Sequence, residues 1–200
     1  MEEPRESERA IAWGTVDSPF GQIVVAASER GLVRVTMPGE DPDVALDEVV
    51  ALATGAREEP ALVVEAMAQI EAYFAGELRE FDLPIDWRLA GKGFGAEVLR
   101  ATAGIPYGST RSYGEIAAEA GRPGAQRAAG TALGGNPLAP VVPCHRVILA
   151  SGKIGNYGGG AAAKRELLSM EGALGPRLVS GSHDERRPPQ TDVDDAARAA

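Results

Sequence analysis

The hydrophobic period of this chain changes once, near residue 40, from strand-like alternation to a helical pattern, and that change limits the folds open to it. Ahead of the break, "GQIVVAASERGLVRVTM" sets Leu32, Arg34 and Thr36 in alternation with Val33, Val35 and Met37, and residues 28–31 supply turn chemistry. Such alternation suits two strands joined by a turn. Two helical patterns follow. "DVALDEVVALATG" closes on a glycine, and "ALVVEAMAQIEAYFAGE" puts Val63, Met67, Ile70 and Phe74 on one face. "FDLPIDWRLAGKG", with Pro84 and two glycines, reads as a linker. Beyond it the pattern is helical with short loops, over residues 94–103, 113–120 and 123–133. The expected fold is therefore α/β: a small N-terminal α/β domain over residues 10–87, then a mainly helical C-terminal domain over 88–174 containing a helix-turn-helix. A flexible leader (1–9) and a disordered tail (175–200) flank them, the tail lacking periodicity and large apolar residues. The N-terminal domain shows no chemical constellation and reads as scaffold.

Two hundred residues are enough for one large or two small domains with real cores. No apolar run approaches the roughly 20 residues of a membrane span. The opening "MEEPRESERA" is acidic and polar, unlike a secretory signal. A single cysteine forms no internal disulfide framework, which points to a reducing, cytoplasmic compartment. Cys144, His145 and a distant His183 do not make a zinc site, and no metal or cofactor is expected. The net charge of −9 is unevenly spread. Residues 1–87 carry 6 basic and 19 acidic side chains, whereas residues 88–172 carry 10 basic and 5 acidic ones. The basic segment slightly favours a polyanionic partner, and it is the segment that holds Cys144.

Within that segment, Ser112 followed three residues later by Glu115 is a capping box, opening a helix with Ile116 and Ala117 on its inner side. Gly121 closes it, and Pro123 suits the first turn of the next helix. The spacing fits a helix-turn-helix, although helical hairpins that bind nothing share it. The second helix carries Ala125, Ala128, Ala129, Gly130 and Ala132, with the long Arg127 rising among them. Small residues serve tight helix packing. They also serve approach to a DNA minor groove, about 6 Å wide against about 10–12 Å for a helix, where one side chain can wedge into the base stack. The residues alone leave both open.

A lone cysteine in an apolar run is ordinarily a buried, inert small hydrophobe. Three features of "PVVPCHRVIL" and its surroundings favour a nucleophile: Pro143 fixes the backbone, His145 and Arg146 follow, and the glycine-rich "GKIGNYGGG" can close over a substrate. A free thiol has a pKa near about 8.5, so reactivity at neutral pH needs a base or a positive field. Neighbours in a regular strand face opposite ways. Cys144 and His145 therefore cooperate only if the backbone turns there or a water carries the proton. Inert or nucleophilic, Cys144 fits both descriptions at this level.

The run "IPYGSTRSYGEIAAEAGRPGAQRAAGTALGGNPLAPVVPCHRVILASGKIGNYGGGAAAKRELLSMEG" closely resembles the O6-alkylguanine-DNA alkyltransferases, or methylated-DNA–protein-cysteine methyltransferases. The resemblance is strongest over residues 94–172. It continues more weakly over 11–93, where the hairpin and "EAYFAGELREFDLP" resemble the family's N-terminal domain. "PCHRV", preceded by "NP" and followed by "GNYGGG", is the specific signature. The resemblance implies DNA repair by direct reversal, in which a methyl or larger alkyl group passes once per molecule from O6-alkylguanine to Cys144, with O4-alkylthymine a candidate second substrate. It implies His145 as the base that activates Cys144 through water, Glu171 as the carboxylate that orients and charges that imidazole, and Asn136 as the brace of the active-site turn. Tyr113, Val147, Tyr157 and Gly158 are implied around the base and its alkyl group. Tyr113, Arg122, Arg127 and Ser151 are implied at the DNA, Arg127 filling the gap left by the flipped nucleotide. The implied partner is double-stranded DNA containing alkylated bases, met by a monomer with no cofactor and no membrane. A base cannot be attacked inside the stack, so it is rotated out at a cost of a few kcal/mol.

Three positions depart from the family pattern. Trp is usual where Leu99 stands and Gln where Gly95 stands, which implies altered packing. Many members have Ser in place of Gly158, where it helps hold the lesion, so the resemblance does not carry over an alkyl-group preference. Two other classes compete: a lesion sensor that binds alkylated DNA without repairing it, and a Cys–His hydrolase. The intact "PCHR" weighs against the first and the lack of any hydrolase signature against the second.

Overall fold

Strands β1 (Ile11–Ser18), β2 (Gly21–Ser28) and β3 (Gly31–Val35) form an antiparallel meander, and the short β4 (Arg57–Glu58) pairs parallel to β1, giving the order β3-β2-β1-β4. The computed structural model describes residues 11–37, 40–52 and 55–174. The expected leader (1–9), the expected tail (175–200) and His183 lie outside the described residues. The hairpin read from the sequence is β2–β3. Its partner β1 was not anticipated, because Gly14 and Thr15 interrupt the apolar alternation of "IAWGTVDS". Gly31 begins β3 at φ 132°, and a Cβ there would stand 2.3 Å from the carbonyl oxygen of Pro84. Only glycine allows that approach.

Helix α1 (Pro42–Leu52) and helix α2 (Pro60–Phe74) pack on the sheet, α2 burying Val63, Ala66, Ile70 and Tyr73. The linker is not free chain. Leu32 donates its N–H to Pro84 O at 2.8 Å and accepts from Asp86 N–H at 2.9 Å, so the linker runs as a strand-like strap along the outer edge of β3. Further along the same edge, Val35 N–H donates to Pro137 O at 2.8 Å. The sheet of the first half is thus extended by backbone from the second.

The C-terminal half contains α3 (Phe94–Ala103), α4 (Tyr113–Glu119), α5 (Gln126–Gly134) and α6 (Gly160–Met170), with β5 (Arg111–Ser112) and β6 (Val147–Ile148) paired in parallel. Ser112 Oγ accepts from Glu115 N–H at 3.2 Å, and Glu115 Oε2 accepts from Ser112 N–H at 2.7 Å, which is the expected capping box. The expectation for Pro123 is corrected. Gly121 and Gly124 both have positive φ and build a turn around it, so α5 begins only at Gln126, behind Ala125. Helix α6 was not anticipated, since its first turn is glycine and alanine. Leu99, at 3% exposure, sits in a core that also takes in Val25, Val35, Ile70, Ile116, Leu133 and Val142. That core crosses the domain boundary.

Candidate active site

Pro143 leads directly into a single 3-10 turn, Cys144–Arg146. This turn answers the geometric difficulty of a strand, because consecutive residues on it diverge by far less than opposite faces of a sheet. Cys144 sits at the floor of a cavity of about 720 Å³ whose walls include Tyr113, Arg127, Asn156, Tyr157 and Gly158. His145 is fully buried behind it.

Asn136 is buried in the stretch that abuts β3 and makes three bonds. Its Nδ2 donates to Val142 O at 2.7 Å and to Cys144 Sγ at 3.0 Å, while its Oδ1 accepts from Leu138 N–H at 3.1 Å. Burial pushes the Cys144 thiol up, opposed by the Asn136 hydrogen bond and the nearby Lys164 ammonium. At rest it is a thiol.

Glu171 closes the C-terminus of α6 and accepts from five groups. His145 Nε2, Arg146 Nη2 and the Tyr73 hydroxyl reach Oε1 at 2.8, 2.8 and 2.6 Å. Arg146 Nε and Gly108 N–H donate to Oε2 at 2.8 and 3.4 Å. Burial works to raise this carboxyl, but the bonds from His145 and Arg146 outweigh it and hold it down at about 2. An ionised carboxylate requires the His145 proton on Nε2, which leaves Nδ1 as the basic nitrogen. Nδ1 is buried and has no hydrogen-bond partner among the described residues. Burial, together with the Arg146 and Lys164 charges, outweighs Glu171 and pushes the imidazole below its usual range. Glu171 accepts from His145 Nε2 and favours the imidazolium, but burial is the larger effect on this imidazole.

The structure brings Cys144, His145, Asn136 and Glu171 together, and Tyr113, Tyr157, Gly158 and Arg127 around one cavity. Tyr113 donates its hydroxyl to Asn156 O at 3.3 Å. The Tyr157 hydroxyl is buried and has no hydrogen-bond partner among the described residues. A Cβ on Gly158 would stand 2.4 Å from Met37 Sδ, so a methionine from the end of β3 fills the space a serine would need. Val147 is fully buried on β6 and is not among the residues that line the cavity; its carbonyl accepts from Lys164. Arg122 also lies away from the cavity, its guanidinium 5.0 Å over the Phe94 ring. Ser151 is exposed in a turn closed by the bond from Leu149 N–H to Lys153 O. On α5, Ala129 packs inside, whereas Ala128 and Arg127 face outward and Gly130 lies beside the Tyr113 ring.

Two residues escaped the sequence reading. Lys164 is fully buried, donates to Val147 O at 2.6 Å and Asn156 O at 3.1 Å, and is brought down to about 8 by burial. A lysine among the alanines of α6 was its only signal. Tyr73 comes from the N-terminal domain, which is therefore more than scaffold. Among the described residues no group of His, Cys, Asp and Glu side chains could hold a metal ion.

Residues 93–173 match the model of the 6-O-methylguanine DNA methyltransferase DNA-binding domain, and residues 11–87 that of the same family's ribonuclease-like domain. The chain is 47% identical over 170 residues to a methylated-DNA–protein-cysteine methyltransferase of Mycolicibacterium paratuberculosis, covering 85% of this chain and 98% of the relative. It is 44% identical over 160 residues to one from Methanosarcina acetivorans, covering 78% and 96%. Among solved structures, it resembles Mycobacterium tuberculosis OGT in complex with DNA at 43% identity and a TM-score of 0.69, covering 84% of this chain and 94% of that one. With both halves matched and in order, the chain belongs to the 6-O-methylguanine DNA methyltransferase family.

Proposed function

We propose that the protein repairs DNA by direct reversal, taking the methyl or other alkyl group of O6-alkylguanine onto its own Cys144, once per molecule. The observation that carries this reading is the pairing, on one turn, of a cavity-floor thiol held by Asn136 with an imidazole held by Glu171. Arg127, exposed on α5 at the cavity wall, fills the gap in the stack as the base rotates out. Tyr113, Tyr157 and Gly158 receive the base. Arg122 and Ser151, both exposed, meet the phosphates beside it. Double-stranded DNA is the partner, met by a monomer in the cytoplasm.

The chemistry balances without a cofactor. Cys144 gives its proton to His145 Nδ1 through a water. The sulfur forms a bond to the alkyl carbon as the bond from that carbon to guanine O6 breaks in line. The electron pair goes to the base, which takes the proton and leaves as guanine. Arg146 and Glu171 already cancel one another, so proton transfer creates only the His145–Cys144 ion pair. The thioether is stable, and the molecule is spent.

Intact-protein mass after mixing with a methylated duplex oligonucleotide tests this. The expected result is a permanent gain of one methyl, mapped to Cys144 and absent from Cys144→Ala. Tight binding with unchanged mass would instead make the protein a lesion sensor, and repeated turnover on an ester a hydrolase.

A further inference from the structure

Tyr73 enters the site from α2, on the opposite side of the domain boundary from every other group that touches Glu171. Its hydroxyl donates to Glu171 Oε1 at 2.6 Å and lies 3.4 Å from His145 Nε2. The ring is fully buried and packs against Phe74, Phe81 and Tyr107, with centroids 5.3, 5.1 and 6.4 Å away. Such packing fixes where the hydroxyl points. Burial first, and then the neighbouring Glu171 charge, raise this phenol far above its ordinary range. It remains a donor at any working pH.

We propose that Tyr73 is a positioning residue for alkyl transfer: it pins Glu171 Oε1 opposite the His145 Nε2–H, and so fixes Nδ1 as the nitrogen that faces the thiol proton. The proposal rests on the alkyl-transfer reading above. Oε1 is shared by three donors, namely Tyr73, His145 and Arg146. The Arg146 fork holds the carboxylate in its plane but leaves the imidazole free to slide along the oxygen. The Tyr73 hydroxyl, close to both, closes that freedom from the far side. It also draws negative charge from Oε1, leaving less to stabilise an imidazolium.

The ionisable groups facing His145 are Glu171, Arg146, Lys164 and Tyr73, with Cys144 next to it in the chain and Tyr157 acting on Tyr73. Tyr73→Phe removes one hydroxyl and keeps the ring packing. Two effects follow. The imidazole loses its pin, and Glu171 holds an imidazolium more strongly, so His145 becomes a base at higher pH only.

The test compares wild type and Tyr73→Phe, as full chains, in single-turnover transfer from a methylated duplex oligonucleotide between mildly acidic and mildly alkaline pH. We expect Tyr73→Phe to slow transfer about tenfold at neutral pH, the scale of one charge-assisted hydrogen bond, and to move the midpoint of the acidic limb upward. An unchanged rate, or a slower rate with an unmoved midpoint, would overturn the proposal, the second by reducing Tyr73 to a packing role. A wild type that transfers nothing would remove the repair reading itself and this proposal with it. Should Tyr73→Phe fail to fold, the imidazole nitrogen resonances of wild-type His145 decide. An exchange-protected Tyr73 hydroxyl proton coupled to the Nε2–H tautomer supports the pin, and a freely exchanging hydroxyl proton or the Nδ1–H tautomer overturns it.

Discussion

Glu171 carries more of the site than any other side chain, and its charge leaves a signature in stability. Its folded pKa, at about 2, lies below the about 4.3 of an unfolded glutamate. The native state therefore binds fewer protons, and the stabilisation is complete above the unfolded value and is lost as pH falls through the folded one. A shift of that size corresponds to about 3 kcal/mol. Glu171→Gln removes it and strands the buried Arg146 charge. Denaturant unfolding at neutral pH should show a loss of at least about 3 kcal/mol relative to wild type, shrinking as pH approaches 2. A deficit that stayed constant into acid would place the stabilisation elsewhere. The residue scale is also where the sequence was most legible. Cys144, His145 and Arg146 are adjacent, and their chemistry is written in one tripeptide. Tyr73 and Lys164 were hidden because nothing in a helical face says that a tyrosine will end 2.6 Å from a carboxylate 98 residues away.

Among the elements, α4 was readable because its capping box is a local device that works on four residues. The start of α5 was misplaced for an equally local reason: two glycines with positive φ around Pro123 turned a favourable helix opening into a turn. Strand β1 and helix α6 are held by tertiary pairing and packing, and neither declares itself in hydrophobic period. Helix α5 presents Arg127 outward on a surface of small residues, and that arrangement carries a prediction. Arg127→Ala should weaken repair of a modified guanine paired in duplex, where the flipped state must be held, by about tenfold or more. Transfer from the free modified base needs no flipping and should change little. Measuring both rates on one preparation separates the roles, since equal losses would assign Arg127 to the pocket or the fold.

On the scale of the whole molecule, charge is segregated along the chain. The segment 88–172 has a net charge of +5 and the segment 1–87 one of −13. The basic half should face DNA and the acidic half away from it. Each phosphate neutralised contributes about 0.9 to the log–log slope of affinity against salt. Only a handful of contacts fit a surface of this charge, so binding to unmodified duplex should be modest, fall with salt along a shallow slope, and vary little with sequence. Titrations on several duplexes at a series of salt concentrations measure this. A flat response or a strong preference for one sequence would contradict the orientation.

The β3 edge has a consequence beyond holding the halves together. A bare edge strand offers its N–H and C=O groups to any passing strand, and is where sheets polymerise. Here the linker and the stretch before Cys144 occupy that edge with Leu32–Pro84 and Val35–Pro137 bonds. The chain thus shields its own aggregation-prone rim with the segment that braces its reactive thiol. Loosening that brace would uncover both the cysteine and the rim, so chemical failure and colloidal failure share one latch.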